Sequence, residues 1–470
     1  MTDLAKALPA VLDKIDANLD ASLERLFEFL KIQSISTDPA YKDQCRAAAK
    51  FVADDLAGIG FDASVRPTKG HPVVVAKGRN GGGSGRGKPP HVLFYGHYDV
   101  QPIDPLDLWE TPPFSPRIAT TPHGRKIIVA RGACDDKGQV MTFVEACRAF
   151  KAVTGTLPLP ITAMIEGEEE CGSAHLFGFV KDNAAELKHD LALICDTSMW
   201  DAKTPAITTS LRGLVYEEVR LTCADRDLHS GLFGGAAQNP LRVLAQILGS
   251  LHDKNGRVTI PGFYNGVKEL PKGIKADLAK LKLTPKAFLG EVGLKVPAGE
   301  KGRMVIEQIA TRPTAEINGL VGGYTGEGAK TVIPGKATAK VSFRLVGNQD
   351  PKKIRDAFRK FVRDRLPADA KVEFSNFGLA PPIQIPFDNP ALIKARAALA
   401  AEWGRKAVTV GEGGSIPIVA DFKRVLGMDT IMVGFALDDD RVHSPNEKYD
   451  LASFHKGTRS WARILTALAM

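Results

Sequence analysis

The sequence predicts an α/β protein: a mostly parallel sheet flanked by helices, interrupted by a smaller α+β domain. Three observations carry that expectation. Short apolar runs alternate with helix-length patterns early in the chain, the texture changes near residue 209 to half-exposed alternation, and the first style returns after about residue 380. The expected organisation is therefore 1–208 and 381–470 as two parts of one domain, with 209–380 inserted between them.

Taken in order, Val11, Ile15, Leu19, Leu23, Leu26 and Leu30 recur at spacings of three and four, which predicts a helical opening segment. The buried-strand candidates are 73–76, 91–96, 160–165, 191–195 and 430–434. Between them 138–152 reads as a helix, with Val140, Phe143, Val144, Cys147 and Phe150 on one side. Near-continuous apolar strands separated by helices indicate a parallel sheet buried on both faces. The stretch GRNGGGSGRGKPP at 78–90 lacks a GK[ST] signature, and Pro89-Pro90 forbids an immediate helix, so it reads as a surface connection. In the middle of the chain LVYEEVRLTC and ATAKVSFRLV alternate as half-exposed strands do, with a helix-like stretch at 239–252.

Composition narrows the function classes. A chain of 470 residues with 44% hydrophobic and 25% charged residues is neither disordered nor fibrous. The net charge of +8 suggests an acidic partner, but the lysines of 268–303 are interrupted by Glu269 and Asp277 and are not interleaved with aromatic residues. A solvated surface is expected there, and no nucleic-acid partner. Six cysteines without a C-x-x-C pair indicate free thiols in a reducing compartment. The polar N-terminus and the absence of a long apolar run predict a soluble, cytoplasmic protein with no membrane partner.

The chemistry gathers where apolar runs stop. VLFYG is followed by His97-Tyr98-Asp99, IIVARGAC by Asp135-Asp136, ITAMIEG by Glu168-Glu169-Glu170, and LALIC by Asp196; TIMVGF precedes His443 by a short loop. Ligands of open α/β sheets bind beyond the carboxyl ends of strands, where separate loops converge. Each feature alone has an ordinary reading: a structural histidine, a solvated acidic loop, aspartates capping a helix. Their joint placement favours one site, and imidazole with carboxylate suits Zn²⁺, Mn²⁺ or Co²⁺.

These residues lie in segments that resemble the two-metal aminoacylase and carboxypeptidase family of metallopeptidases, and within it the carnosinase-type and cytosolic non-specific dipeptidases. The segments are GHYDVQP, WETPPFSP, RGACDDKG, IEGEEECGS, CDTSMW, DLHSGLFGG, KTVIP, EGGSIP and HSPNE, in family order over nearly the whole chain. The resemblance implies two divalent ions, zinc or manganese with cobalt possible. It makes His97 and Asp196 ligands of one, Glu170 and His443 ligands of the other, and Asp135 the bridge. It implies that Asp99 orients His97, that Glu169 is the general base acting on a water shared by the metals, and that the Asp135–Asp136 peptide is cis. His229 resembles the histidine that stabilises the oxyanion and reaches the active site of a second subunit, which makes a homodimer the expectation. Arg344, with Thr331, Gly413, Gly414 and Ser415, is carried over as the contact set for the carboxylate end of a small peptide, and the inserted domain as a lid and dimerisation domain.

Physical chemistry is consistent with those roles. Two cations lower the pKa of a shared water towards neutrality, and a nearby carboxylate can take its proton and return it to the leaving amine. A guanidinium grips a carboxylate bidentately. Cys134, Cys171 and Cys195, beside these residues, read as small core residues rather than ligands. Glu168 departs from the family pattern: a third carboxylate either repels the site's anions or faces solvent. The expected activity is metal-dependent hydrolysis of dipeptides or short peptides. The alternatives are an N-acyl- or N-carbamoyl-amino-acid amidohydrolase and, from another class, an inactive binding protein of the same fold.

Overall fold

The computed structural model describes residues 4–78, 88–290, 292–412 and 417–470. The chain forms two compact units. The first comprises Met1–Thr209, Ile385–Thr409 and Pro417–Met470; the second is Ser210–Gln384 with a short return segment beginning at Val410.

At the centre of the first unit four strands run parallel, in the order Ile161–Glu166, Val92–His97, Leu191–Ile194 and Asp429–Met432. Every residue of the first three of these strands is buried. Antiparallel strands extend the sheet on both sides, with Val73–Gly78 pairing along Ile161–Glu166 and Ala206–Leu211 beside Asp429–Met432. Helix Lys137–Thr154 lies against the parallel strands, its Phe143 stacked on Phe94 at 3.6 Å with Trp461 edge-on to both. Buried aromatic packing of this kind fixes the layer spacing beneath the strand ends.

Two local expectations change. The opening apolar stripe folds as two helices, Leu4–Ala17 and Leu19–Leu30, because Asn18 leaves helical geometry between them. The run before Asp135 is not part of the large sheet: Lys126–Val129 pairs with Arg117–Thr120 and Lys448–Asp450 in a separate three-stranded sheet. Asp135 therefore arrives from a loop that ends at the start of helix Lys137–Thr154, not from the end of a parallel strand. The glycine-rich stretch lies almost wholly outside the described residues, with only its ends, Gly78 and 88–90, inside them.

The second unit is an antiparallel sheet in the order Thr314–Gly322, Lys336–Leu345, Gly213–Thr222 and Lys371–Ala380. Its inward residues, among them Val215, Val219, Leu221, Val341 and Phe343, pack with Val243, Leu244, Phe358 and Val362 of helices Pro240–Gly249 and Pro351–Arg363. Both helices begin with proline at the first turn behind a capping residue: Asn239 accepts from the N–H of Leu241, and Asp350 from that of Lys352. Among the described residues no helix is long and apolar enough to cross a membrane.

Candidate metal centre

Three of the four parallel strands deliver a donor at or just beyond their carboxyl ends, and the fourth leads into the loop that carries His443. His97 closes Val92–His97, Glu169 and Glu170 form the turn after Ile161–Glu166, and Asp196 follows Leu191–Ile194. Two donor groups result: His97, Asp135 and Asp196, and Asp135, Glu170 and His443, each with its atoms within 4.8 Å of one another.

Asp135 belongs to both. Its Oδ1 lies 3.1 Å from His97 Nε2 and its Oδ2 3.0 Å from His443 Nε2. Glu170 Oε2 is 3.0 Å from His443 Nε2, and Asp196 Oδ2 is 3.8 Å from His97 Nε2. Among the described residues no lysine or arginine forms an ion pair with these three carboxylates. The buried Lys137 turns its ammonium instead to the carbonyls of Phe29 and Ile32. A donor set of two imidazoles and three carboxylates, short of positive charge, fits a pair of divalent cations.

The electrostatics reflect the crowding. Burial opposes the charged form of His97, yet Asp135 and Asp99 outweigh it and hold the imidazole well above its usual range. Hydrogen bonds to Asp135 and Glu170 raise His443 to about 10. Burial and the Asp135 charge push Glu170 up to about 7, and burial raises Glu169.

The supporting residues are as specific as the donors. His97 Nδ1 faces Asp99, 3.3 Å from its Oδ1, while Asp99 Oδ2 accepts the N–H of Glu170. One carboxylate thus orients donors from both groups. Asp136 is directed elsewhere: its carboxylate accepts the N–H of His97 and the thiol of Cys195. The Asp135–Asp136 peptide is cis. Gly138 sits directly below the Asp135 loop, where a Cβ would lie 1.9 Å from the Ala133 carbonyl oxygen. The Glu169 carboxylate makes no hydrogen bond among the described residues and is partly buried.

Glu168 neither faces solvent nor joins the donors. It is buried, and both its oxygens lie 3.0 Å from His175 Nδ1. Cys134 and Cys195 are buried as expected, but Cys171 is exposed, because it falls in the surface 3₁₀ turn Glu169–Cys171 and not in a strand.

Sequence reasoning assigned no role to three residues within its own motifs. Gln101 donates to Glu170 Oε2 at 2.7 Å. Glu447, fully buried, accepts the N–H groups of Gly132, Cys134 and Asp135 and pairs with Arg131 at 2.8 Å. Asn446 accepts the N–H of Glu110 and donates to the Leu108 carbonyl, tying the His443 loop to the WETPPFSP segment. Polar residues of unassigned role inside these motifs were the available signal.

In the second unit, His229 is exposed, at the end of the two-residue strand Leu228–His229, which pairs with Val332–Ile333. Its Nδ1 accepts the Gly231 N–H at 3.0 Å, so the neutral ring carries its proton on Nε2. The exposed Thr331 accepts the Ser230 N–H through its carbonyl. Arg344 stands on Lys336–Leu345, on the face opposite the buried Phe343. Gly413, Gly414 and Ser415 lie outside the described residues.

An α/β sheet whose strand ends gather two such donor groups has the features of a metal-dependent hydrolase. The comparisons with known proteins say which: residues 93–467 match the model of peptidase family M20/M25/M40, and the chain belongs to that family. It is 30% identical to the Cys-Gly metallodipeptidase DUG1 of Saccharomyces cerevisiae, over 98% of each chain. It is 29% identical to the human Beta-Ala-His dipeptidase, over 98% of this chain and 93% of that one. The solved M20 family metallo-carboxypeptidase Sso-CP2 from Sulfolobus solfataricus superposes with a TM-score of 0.75 at 30% identity, covering 95% of this chain and 99% of that one.

Proposed function

We propose that this protein is a dinuclear-metal-dependent dipeptidase that cleaves dipeptides or short peptides bearing a free C-terminal carboxylate. The observation that carries the reading is the Asp135 carboxylate, with one oxygen directed to each histidine of the two donor groups. His97 and Asp196 would hold one ion, Glu170 and His443 the other, and Asp135 both. Zinc, manganese or cobalt, when bound, supplies Lewis acidity and a lowered pKa for water. The names of the similar Cys-Gly and Beta-Ala-His dipeptidases favour peptide substrates.

The chain's own residues divide the remaining work. Glu169, free of hydrogen bonds among the described residues and raised by burial, takes a proton from the attacking water and delivers it to the leaving amine. Asp99 orients His97 and, through the Glu170 N–H, the turn that carries Glu169. His229, with its proton on Nε2, donates to the developing oxyanion from a second subunit of a homodimer. Arg344 and Thr331, with Gly414 and Ser415, receive the substrate's carboxylate end. The inserted unit thereby serves as lid and dimerisation domain, and the enzyme works in the cytoplasm.

The test is a screen of dipeptides against N-acyl and N-carbamoyl amino acids, using metal-free protein reconstituted with Zn²⁺, Mn²⁺ or Co²⁺ in turn. Hydrolysis of dipeptides with two ions bound per chain is the expected result. Turnover of only the acylated or carbamoylated compounds overturns the substrate class, and turnover without added metal overturns the mechanism.

A further inference from the structure

A cavity of about 940 Å³ lies wholly within the second unit, and three guanidinium groups line it: Arg212, Arg312 and Arg344. They are not equivalent. Arg312 is held bidentately by Glu300, at 2.9 Å through both Nε and Nη2. Arg212 and Arg344 have no side-chain hydrogen bond or ion pair among the described residues, and the Nε of Arg212 is buried without a partner. Glu316 also lines the cavity and attracts Arg212, but it is exposed and forms no ion pair with it.

A half-buried guanidinium whose Nε is buried and unpaired, beside a second guanidinium, is costly unless an anion joins them. Burial, and then the charge of Arg344, hold Arg212 below the usual arginine range, and the attraction of the exposed Glu316 does not offset them. The neighbouring cavity residues Ser342, Thr314 and Asn318 are neutral hydrogen-bonding groups. A carboxylate has about four lone-pair positions, of which a bidentate arginine occupies two. Two positions remain for a second donor fork.

We propose that Arg212 joins Arg344 in one anion subsite, so that the C-terminal carboxylate of the substrate is held by two guanidinium groups from the same cavity. This inference rests on the assignment of Arg344 above, and it adds a specificity-determining residue for which the family motifs quoted above provide no role. It also sharpens the substrate class. An enzyme that must neutralise two cations selects a full carboxylate and rejects an amidated C-terminus.

The experiment compares Arg212→Gln, Arg212→Lys and Arg344→Gln with the parent enzyme, each reconstituted with the same metal, on an alanyl dipeptide and on its C-terminal amide. Arg212→Gln is expected to raise KM for the acid by about tenfold or more, from the loss of a charge-assisted hydrogen bond, and to leave the amide unchanged. Arg212→Lys keeps the charge without the fork and recovers part of the loss. If Arg344→Gln weakens the acid alone while both Arg212 variants retain parental KM, the subsite has one arginine and the inference is wrong. Equal losses on acid and amide assign Arg212 a purely structural role, which also overturns it. If Arg344→Gln itself leaves the acid unaffected, the assignment of Arg344 falls, and this inference with it.

Discussion

The backbone N–H of Asp135 donates to the carboxylate of Glu447 across 3.1 Å, joining two loops separated by more than three hundred residues of sequence. The same carboxylate takes the N–H groups of Gly132 and Cys134 and pairs with the buried Arg131. The placement of the shared donor therefore depends on a side chain that belongs to neither donor group. Glu447→Ala strands a buried guanidinium and three N–H groups, with an expected loss of about 3–5 kcal/mol. Urea unfolding measures it; a loss below about 1 kcal/mol would show that the loop holds its shape unaided.

Glu169→Gln preserves the shape of the side chain and removes its basicity. Fold and metal content should stay at parental levels while kcat drops about a hundredfold or more. Elemental analysis alongside steady-state kinetics separates the two quantities. Unchanged turnover removes Glu169 from the mechanism.

Asp99→Asn acts through orientation. The imidazole of His97 loses an ionic partner, and affinity for the bound ions is expected to fall about 10–100-fold, read by competition with a chelating dye. Parental affinity in this variant would mean that the backbone carbonyl of Asp99, 3.1 Å from His97 Nδ1, orients the ring by itself.

In the metal-free protein His443 is raised from 6.5 to about 10 by Asp135 and Glu170. A raised histidine stabilises the folded state fully below its unfolded value, and the contribution is lost as pH rises through about 10. Ions compete with the same proton, so loading at neutral pH releases protons and apparent affinity climbs with pH up to that value. Calorimetry in buffers of different ionisation enthalpy detects the release. No proton release at pH 7 would show that His443 is already neutral.

His229→Ala and Glu169→Ala proteins, each inactive alone, should recover part of their activity after mixing and subunit exchange, since one of the hybrid's two sites would be intact. Exchange demonstrated by labelled subunits without any recovery argues for a site built within one chain.

Much of the fold and of this site is legible in the amino-acid order, because buried parallel strands announce themselves as unbroken apolar runs and the donors stand where those runs stop. His97 and Asp196 are found that way. Asp135 is also found, but for a mistaken reason: IIVARGAC is apolar like the others, and nothing local reveals that Lys126–Val129 pairs in a smaller sheet. Strand partnership is a long-range property that a run of residues does not encode. Glu168 illustrates the same limit. Its acidic character is visible, whereas its partner His175 becomes evident only once the turn Glu169–Cys171 has folded back. Asn18 ends a helix whose apolar stripe continues unbroken, so periodicity alone misses the break.

The order of the donors along the chain has a temporal meaning. His97, Asp135 and Asp196 precede the second unit, whereas His443 follows it. During synthesis on the ribosome all three members of the first trio have therefore emerged before the second is complete. Glu447, which holds the Asp135 loop, emerges after His443, so both trios reach their final geometry only once the last segment of the chain is out.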